Sequence, residues 1–77
     1  MEKLYYIEWH DSKSRQGWAS PEEINHKPLV CVTVGFMLHK DDVSITVAAS
    51  FCEKNNTFAE IVTIPTENII KKKLIKL

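Results

Sequence analysis

The residues best suited to chemistry lie between Trp9 and Trp18, the two tryptophans of this 77-residue chain. The segment between them is the most polar of the sequence. It offers carboxylate, hydroxyl, ammonium and guanidinium groups, on Asp11, Ser12, Lys13, Ser14 and Arg15. Indole rings normally belong to a packed core, so two rings beside a polar loop indicate a surface that stacks a flat ligand and binds its edges.

A nucleotide fits this set of groups. The rings would flank a base, a contact worth about 1–3 kcal/mol per base. The carboxylate would accept from an exocyclic amine, the hydroxyls would donate to phosphate oxygens, and the cations would neutralise a phosphodiester. The predicted ligand-binding residues are Trp9, Asp11, Ser12, Ser14, Arg15, Gly17 and Trp18. In the structural alternative, the rings close the ends of a small barrel and the loop is only solvated.

No motif for catalysis or metal binding accompanies the loop. The sequence has no P-loop, GxGxxG, GxSxG or HExxH pattern. The histidines His10, His26 and His39 are scattered, and Cys31 and Cys52 form no CxxC or Cys/His cluster. We therefore expect a binding protein rather than an enzyme, with no cofactor and no metal.

Ten basic and ten acidic residues give a formal net charge of zero. This balance argues against binding to long nucleic acids, which usually requires a basic excess. Four lysines crowd the C-terminal region, where they are typical of a solvated edge strand: Lys71, Lys72, Lys73 and Lys76. No apolar run approaches the roughly 20 residues that span a bilayer. Without a signal-like apolar run after Met1 either, we expect a reduced, intracellular protein that contacts no membrane.

Apolar residues alternate along most of the chain, which predicts strands in a single domain of residues 1–77. The predicted strands are residues 4–9, 29–39, 43–51, one through Val62 and Ile64, and 69–77. Residues 20–24 have the Ser-Pro pattern of a single helical turn, and Thr66–Asn68 predicts a short 3₁₀ turn. This order favours an all-β fold, a small five-stranded SH3-like or Sm-like barrel with a long loop after strand 1.

The second and third predicted strands form a hairpin whose faces differ in composition. A two-residue turn pairs Leu38 with Ile45 and Phe36 with Val47, which places apolar residues opposite each other. The other face carries small and hydroxyl side chains without charge. We assign it to contacts in a homo-oligomer, through Thr33, Gly35, Met37, Thr46, Ala48 and Ser50. The alternative is that this face is neutral and exposed to solvent, and is rich in Thr and Ser only because these residues suit a strand.

Several short motifs follow one another along nearly the whole chain: Trp9-x-Asp11-Ser12, Gly17-Trp18, Val34-Gly35-Phe36, Val47-Ala48-Ala49-Ser50 and Ile64-Pro65. Their order and spacing resemble a family of small bacteriophage-encoded proteins. The resemblance implies an anti-defence sponge in the host bacterial cytoplasm, which sequesters a cyclic dinucleotide such as cyclic GMP-AMP without cleaving it. It also implies a homo-oligomer, a dimer or tetramer, with ligand at subunit interfaces. The run Lys71-Lys72-Lys73 departs from the family pattern.

Two other functions remain open at this point. A small barrel that oligomerises also fits an Sm-like RNA-binding ring, although zero net charge speaks against it. A monomeric barrel fits an SH3-like interaction module that inhibits a host enzyme.

Overall fold

The computed structural model describes residues 3–11, 17–24 and 27–76. Its strands are β1 (Leu4–Asp11), β2 (Leu29–Lys40), β3 (Ser44–Cys52), β4 (Thr57–Pro65) and β5 (Ile69–Ile75). Short 3₁₀ turns at Pro21–Glu23 and Thr66–Asn68 precede β2 and β5. The described residues contain no α-helix, so the all-β prediction is confirmed, as are both predicted helical turns.

The five strands form one antiparallel sheet in the order β4-β3-β2-β1-β5. The meander β2-β3-β4 and the return of β5 to the far side of β1 give this order. No described residues pair β4 with β5, so the sheet is open and has two edges. The predicted barrel closure is therefore not confirmed.

Strand β2 joins two parts of the sheet because its halves pair with different neighbours. Its residues 29–36 pair with β1, and its residues 36–40 pair with β3. Gly35 lies at this junction, and a Cβ at this position would lie 2.7 Å from the Ala48 carbonyl oxygen. Only glycine therefore fits without a backbone shift.

The distal half of the β3–β4 hairpin continues beyond the paired part of β2. It ends with the pairs Phe51↔Phe58 and Cys52↔Thr57, and Asn56 turns the chain with a φ of 52°. Asn adopts this conformation at low cost. The projecting hairpin contributes to a long molecule of 52 × 23 × 22 Å.

The core lies on one face of the sheet and is small. Ile7, Ile45, Val47 and Ile64 are fully buried. Partly buried apolar residues pack around them: Tyr5, Trp9, Met37, Val62 and Ile69. Tyr5, Ile7 and Trp9 therefore share the core face of β1, and Ile45 and Val47 share that of β3.

The predicted face of β2 is wrong. Odd residues of β2 pair with the core-facing residues of β1, as in Ile7↔Thr33 and Tyr5↔Gly35. The even residues of β2, which by alternation share the apolar face predicted through Phe36 and Leu38, are about half exposed: Val30, Val32 and Val34. The predicted hairpin register is also wrong, because Met37 pairs with Val47 and a bulge follows at Leu38. A bulge adds one residue to one strand, which the alternation pattern alone does not reveal.

Candidate functional site

Trp9 lies near the end of β1 and is half-buried against the core cluster. Its indole Nε1–H donates a hydrogen bond of 3.0 Å to the Oγ1 of Thr33, on the adjacent strand. A ring held by packing and by its own N–H donor is anchored in the fold. Trp9 therefore supports the start of the loop rather than offering a free stacking surface, as the structural alternative proposed for both rings.

Trp18 has the opposite environment: its side chain is fully exposed. It follows Gly17, whose φ of +87° favours glycine and whose Cβ position has no neighbour within 4 Å. The structure thus separates the two rings into one anchored indole and one open indole. Asp11, the last residue of β1, is partly buried and pairs with Leu29. Ser12, Ser14 and Arg15 lie outside the described residues.

The six residues assigned to oligomer contacts do not form an exposed face. Gly35 and Ala48 are buried within the chain, and Met37 packs against the core. Thr33 accepts the Trp9 hydrogen bond on the core side. Thr46 contacts the Thr63 hydroxyl at 2.9 Å, and Ser50 donates to Glu60 at 3.2 Å. The structure therefore does not bring these six residues together as one exposed face, because the small odd residues of β2 lie against the core side chains of β1 and β3, and their role in oligomer contacts stays a prediction.

A cationic cleft lies along edge strand β5, where the sequence indicated only a solvated lysine face. This β5 cleft is open, has a volume of about 630 Å³, and is lined by Tyr6, Lys71, Lys73, Leu74, Ile75 and Lys76. Within the described part of the chain, none of the three ammonium groups forms an ion pair. Unpaired cations around a concave surface suit an anionic ligand. The alternation of Lys71 and Lys73 in a predicted strand was the available signal.

Two other groups near this edge have shifted pKa values. The Tyr6 hydroxyl donates a hydrogen bond of 3.0 Å to the Oε2 of Glu8, and this bond raises the pKa of Tyr6. The adjacent Lys40 side chain lowers the pKa of Lys72 through close contact and charge repulsion, and slight desolvation adds to this effect. The proximity of two ammonium groups adds to the positive potential of this edge.

The described residues contain no group of three or more His, Cys, Asp or Glu side chains that could hold a metal ion. Cys31 and Cys52 are free thiols. His39 and Asp41 form an exposed pair at 2.7 Å in the β2–β3 turn. The Asp41 carboxylate also accepts from the backbone N–H groups of Val43 and Ser44, so this pair stabilises a turn.

Comparison of the chain with protein-family models, with curated proteins and with solved structures finds no match. The resemblance to phage-encoded proteins therefore stays a prediction. Among the residues that the structure describes, no helix is long and apolar enough to cross a membrane.

Proposed function

We propose that this protein binds and sequesters a cyclic dinucleotide without cleaving it. The observation that carries the proposal is the fully exposed indole of Trp18, which the sequence places at the end of the polar segment that contains Ser12 and Arg15. A free indole gains surface burial when a nucleobase stacks on it, and this contact is tolerant of base identity. Trp9 serves the site indirectly, by fixing the strand from which the loop departs.

The phosphates of such a ligand need cations, and the protein offers them in two places. Arg15 belongs to the loop itself. The β5 cleft supplies Lys71, Lys73 and Lys76 around a concave surface of sufficient volume for a small ligand. Because Lys71 pairs with Glu8, three residues before Asp11, the nearer end of the cleft is about 10 Å from the start of the loop.

Isothermal titration calorimetry against cyclic di-GMP, cyclic di-AMP and cyclic GMP-AMP tests the proposal. We expect saturable heat with at least one of them, and recovery of the unaltered nucleotide after release. Trp18→Ala should weaken binding about 5- to 150-fold, the equivalent of about 1–3 kcal/mol for a lost stacking contact. Ile24→Ala is the matched control, because Ile24 is an exposed apolar residue beyond the same loop. Absence of heat with every nucleotide at micromolar protein would end the proposal.

The same titration locates the phosphates. The double substitution of Lys71 and Lys73 by Gln removes two positive charges from the exposed edge of the sheet. If the phosphates occupy the β5 cleft, this variant weakens binding and reduces its salt dependence. If Arg15 and its loop hold them, Arg15→Gln has that effect and the cleft variant binds normally.

The two alternative functions depend on a barrel, and no pairing among the described residues closes one. Each still has a simple test. An Sm-like protein would retard uridine-rich RNA in a gel-shift assay at low salt. An SH3-like inhibitor would be a monomer that pulls down one host protein.

A further inference from the structure

The even-numbered residues in the β1-paired half of β2 form an exposed apolar surface. Val30, Val32 and Val34 make up this valine face, and their side chains are 59%, 54% and 45% exposed. The row continues to Phe36, whose ring contacts Phe51 with centroids 6.2 Å apart. Alternating strands normally present polar residues to water on the face away from the core. The outer face of β2 instead has the composition of a buried face.

Strand β2 is therefore apolar on both sides. Its inner face meets the core through Gly35 and Met37, whereas Val30, Val32 and Val34 on its outer face are about half exposed in the described part of the chain. Near-continuous apolar strands are typical of sheets that are covered on both faces. The outer face lacks its second layer.

The molecule also exposes more surface than a compact monomer of its mass, and a dimer interface would cover part of it. The chain exposes 6219 Å², about 1,400 Å² more than a compact monomer of its 8.9 kDa mass. Its radius of gyration is 15.7 Å, against about 11.5 Å for a compact domain of 77 residues. A protein interface of standard size buries about 800 Å² on each partner. One such interface would remove more than half of the excess.

We propose that the valine face binds the valine face of a second copy, so that two sheets pack face to face in a two-fold symmetric dimer. A two-fold axis along β2 stacks each valine on its own copy, at the usual spacing of about 10 Å between sheets. The neighbouring strand supplies a polar rim, through Tyr6, Glu8 and His10. This axis places the two Glu8 carboxylates on opposite sides of the interface, so the like charges do not meet.

This proposal is tested separately from nucleotide binding, because Tyr6 lies both in the rim of the interface and in the lining of the β5 cleft, although none of the predicted ligand-binding residues belongs to the valine face. Its test is sedimentation equilibrium of the full chain without nucleotide, over a concentration series from micromolar to hundreds of micromolar. We expect a reversible association with a limiting mass twice the 8.9 kDa of the chain.

Val32→Lys places a charge at the centre of the proposed contact and should give a monomer throughout the series. Val32→Thr is the milder variant, which keeps the shape and should raise the dimer dissociation constant about tenfold or more. Val43→Lys is the matched control, because Val43 is exposed in the β2–β3 turn outside the face, and it should dimerise normally. Circular dichroism checks that each variant is folded.

A monomeric wild-type chain at every concentration would overturn the proposal. So would a dimer that persists in folded Val32→Lys, because the contact would then lie elsewhere, for example at a sheet edge. A monomer that still binds nucleotide would leave the proposed function intact, and a dimer without nucleotide binding would leave the interface intact.

Discussion

Gly35→Ala is expected to destabilise the fold by about 2 kcal/mol, through overpacking at the junction of β2 and β3. The added Cβ would lie 2.7 Å from the carbonyl oxygen of Ala48, and 3.1 Å and 3.3 Å from its carbonyl carbon and nitrogen. All three atoms belong to the backbone of Ala48, which is fully buried, so no side-chain rotation relieves the contact. The two strands must separate, and the adjacent core residues Met37 and Val47 lose packing.

The sign of this effect is informative. Where space is available, replacing glycine by alanine stabilises a protein by about 0.4–1 kcal/mol, because the unfolded chain loses freedom. A measured destabilisation therefore shows that the Cβ of residue 35 meets the backbone of Ala48. For a domain of this size, about 2 kcal/mol corresponds to a fall in Tm of roughly 8–16 °C.

Thermal and urea unfolding followed by circular dichroism measure the change, at one fixed protein concentration so that self-association does not contribute. The double variant Gly35→Ala with Ala48→Gly is the diagnostic control. Because the contact involves the backbone of residue 48, removing the Ala48 methyl should restore no stability. An unchanged or higher Tm for Gly35→Ala, or full rescue by the second substitution, would refute the geometry at this junction.

Two further perturbations examine the anchored indole and the β2–β3 turn. Trp9→Phe should cost about 1–2 kcal/mol in urea unfolding, and a double-mutant cycle with Thr33→Val should yield a coupling of about 1 kcal/mol, since the two share one hydrogen bond. The hydrogen bond from His39 and two backbone N–H groups lower the pKa of Asp41 to about 2. Because this pKa is depressed, the ionised Asp41 carboxylate contributes fully to the free energy of unfolding above pH 4. This contribution is lost as the pH falls towards 2. Carboxyl NMR titration of wild type and Asp41→Asn measures it, and a midpoint near 3.8 would contradict the turn geometry.

Much of the strand order could be predicted because the local chemistry is strong. Proline marks the 3₁₀ turn at Pro21–Glu23, and the Asn55-Asn56 pair marks the β3–β4 turn. Period-two alternation identifies the strands themselves. The register was not predictable, since the bulge after Met37 depends on how two strands cross rather than on the composition of either.

The candidate site was predictable only in part. Sequence spacing identified two tryptophans beside a polar loop, but it could not distinguish the anchored ring from the open one. That difference depends on Thr33, which lies 24 residues from Trp9 and becomes its neighbour only through the β1–β2 pairing. The β5 cleft was missed for a similar reason: its lysines become a cleft only when Tyr6 lies beside them.

The misassigned face of β2 and the proposed dimer have one physical origin. Valines at positions 30, 32 and 34 carry the apolar signal that normally identifies a core, whereas the true core side of β2 holds Thr33 and the obligatory Gly35. The inner side must be small because β3 crosses it closely and the Trp9 ring lies over it. The three valines thereby hold their apolar bulk on the outer side, where the proposed second copy would cover it. In a protein that works as a monomer, polar residues would be expected at these three positions. A valine that stays exposed to water contributes no hydrophobic free energy to folding.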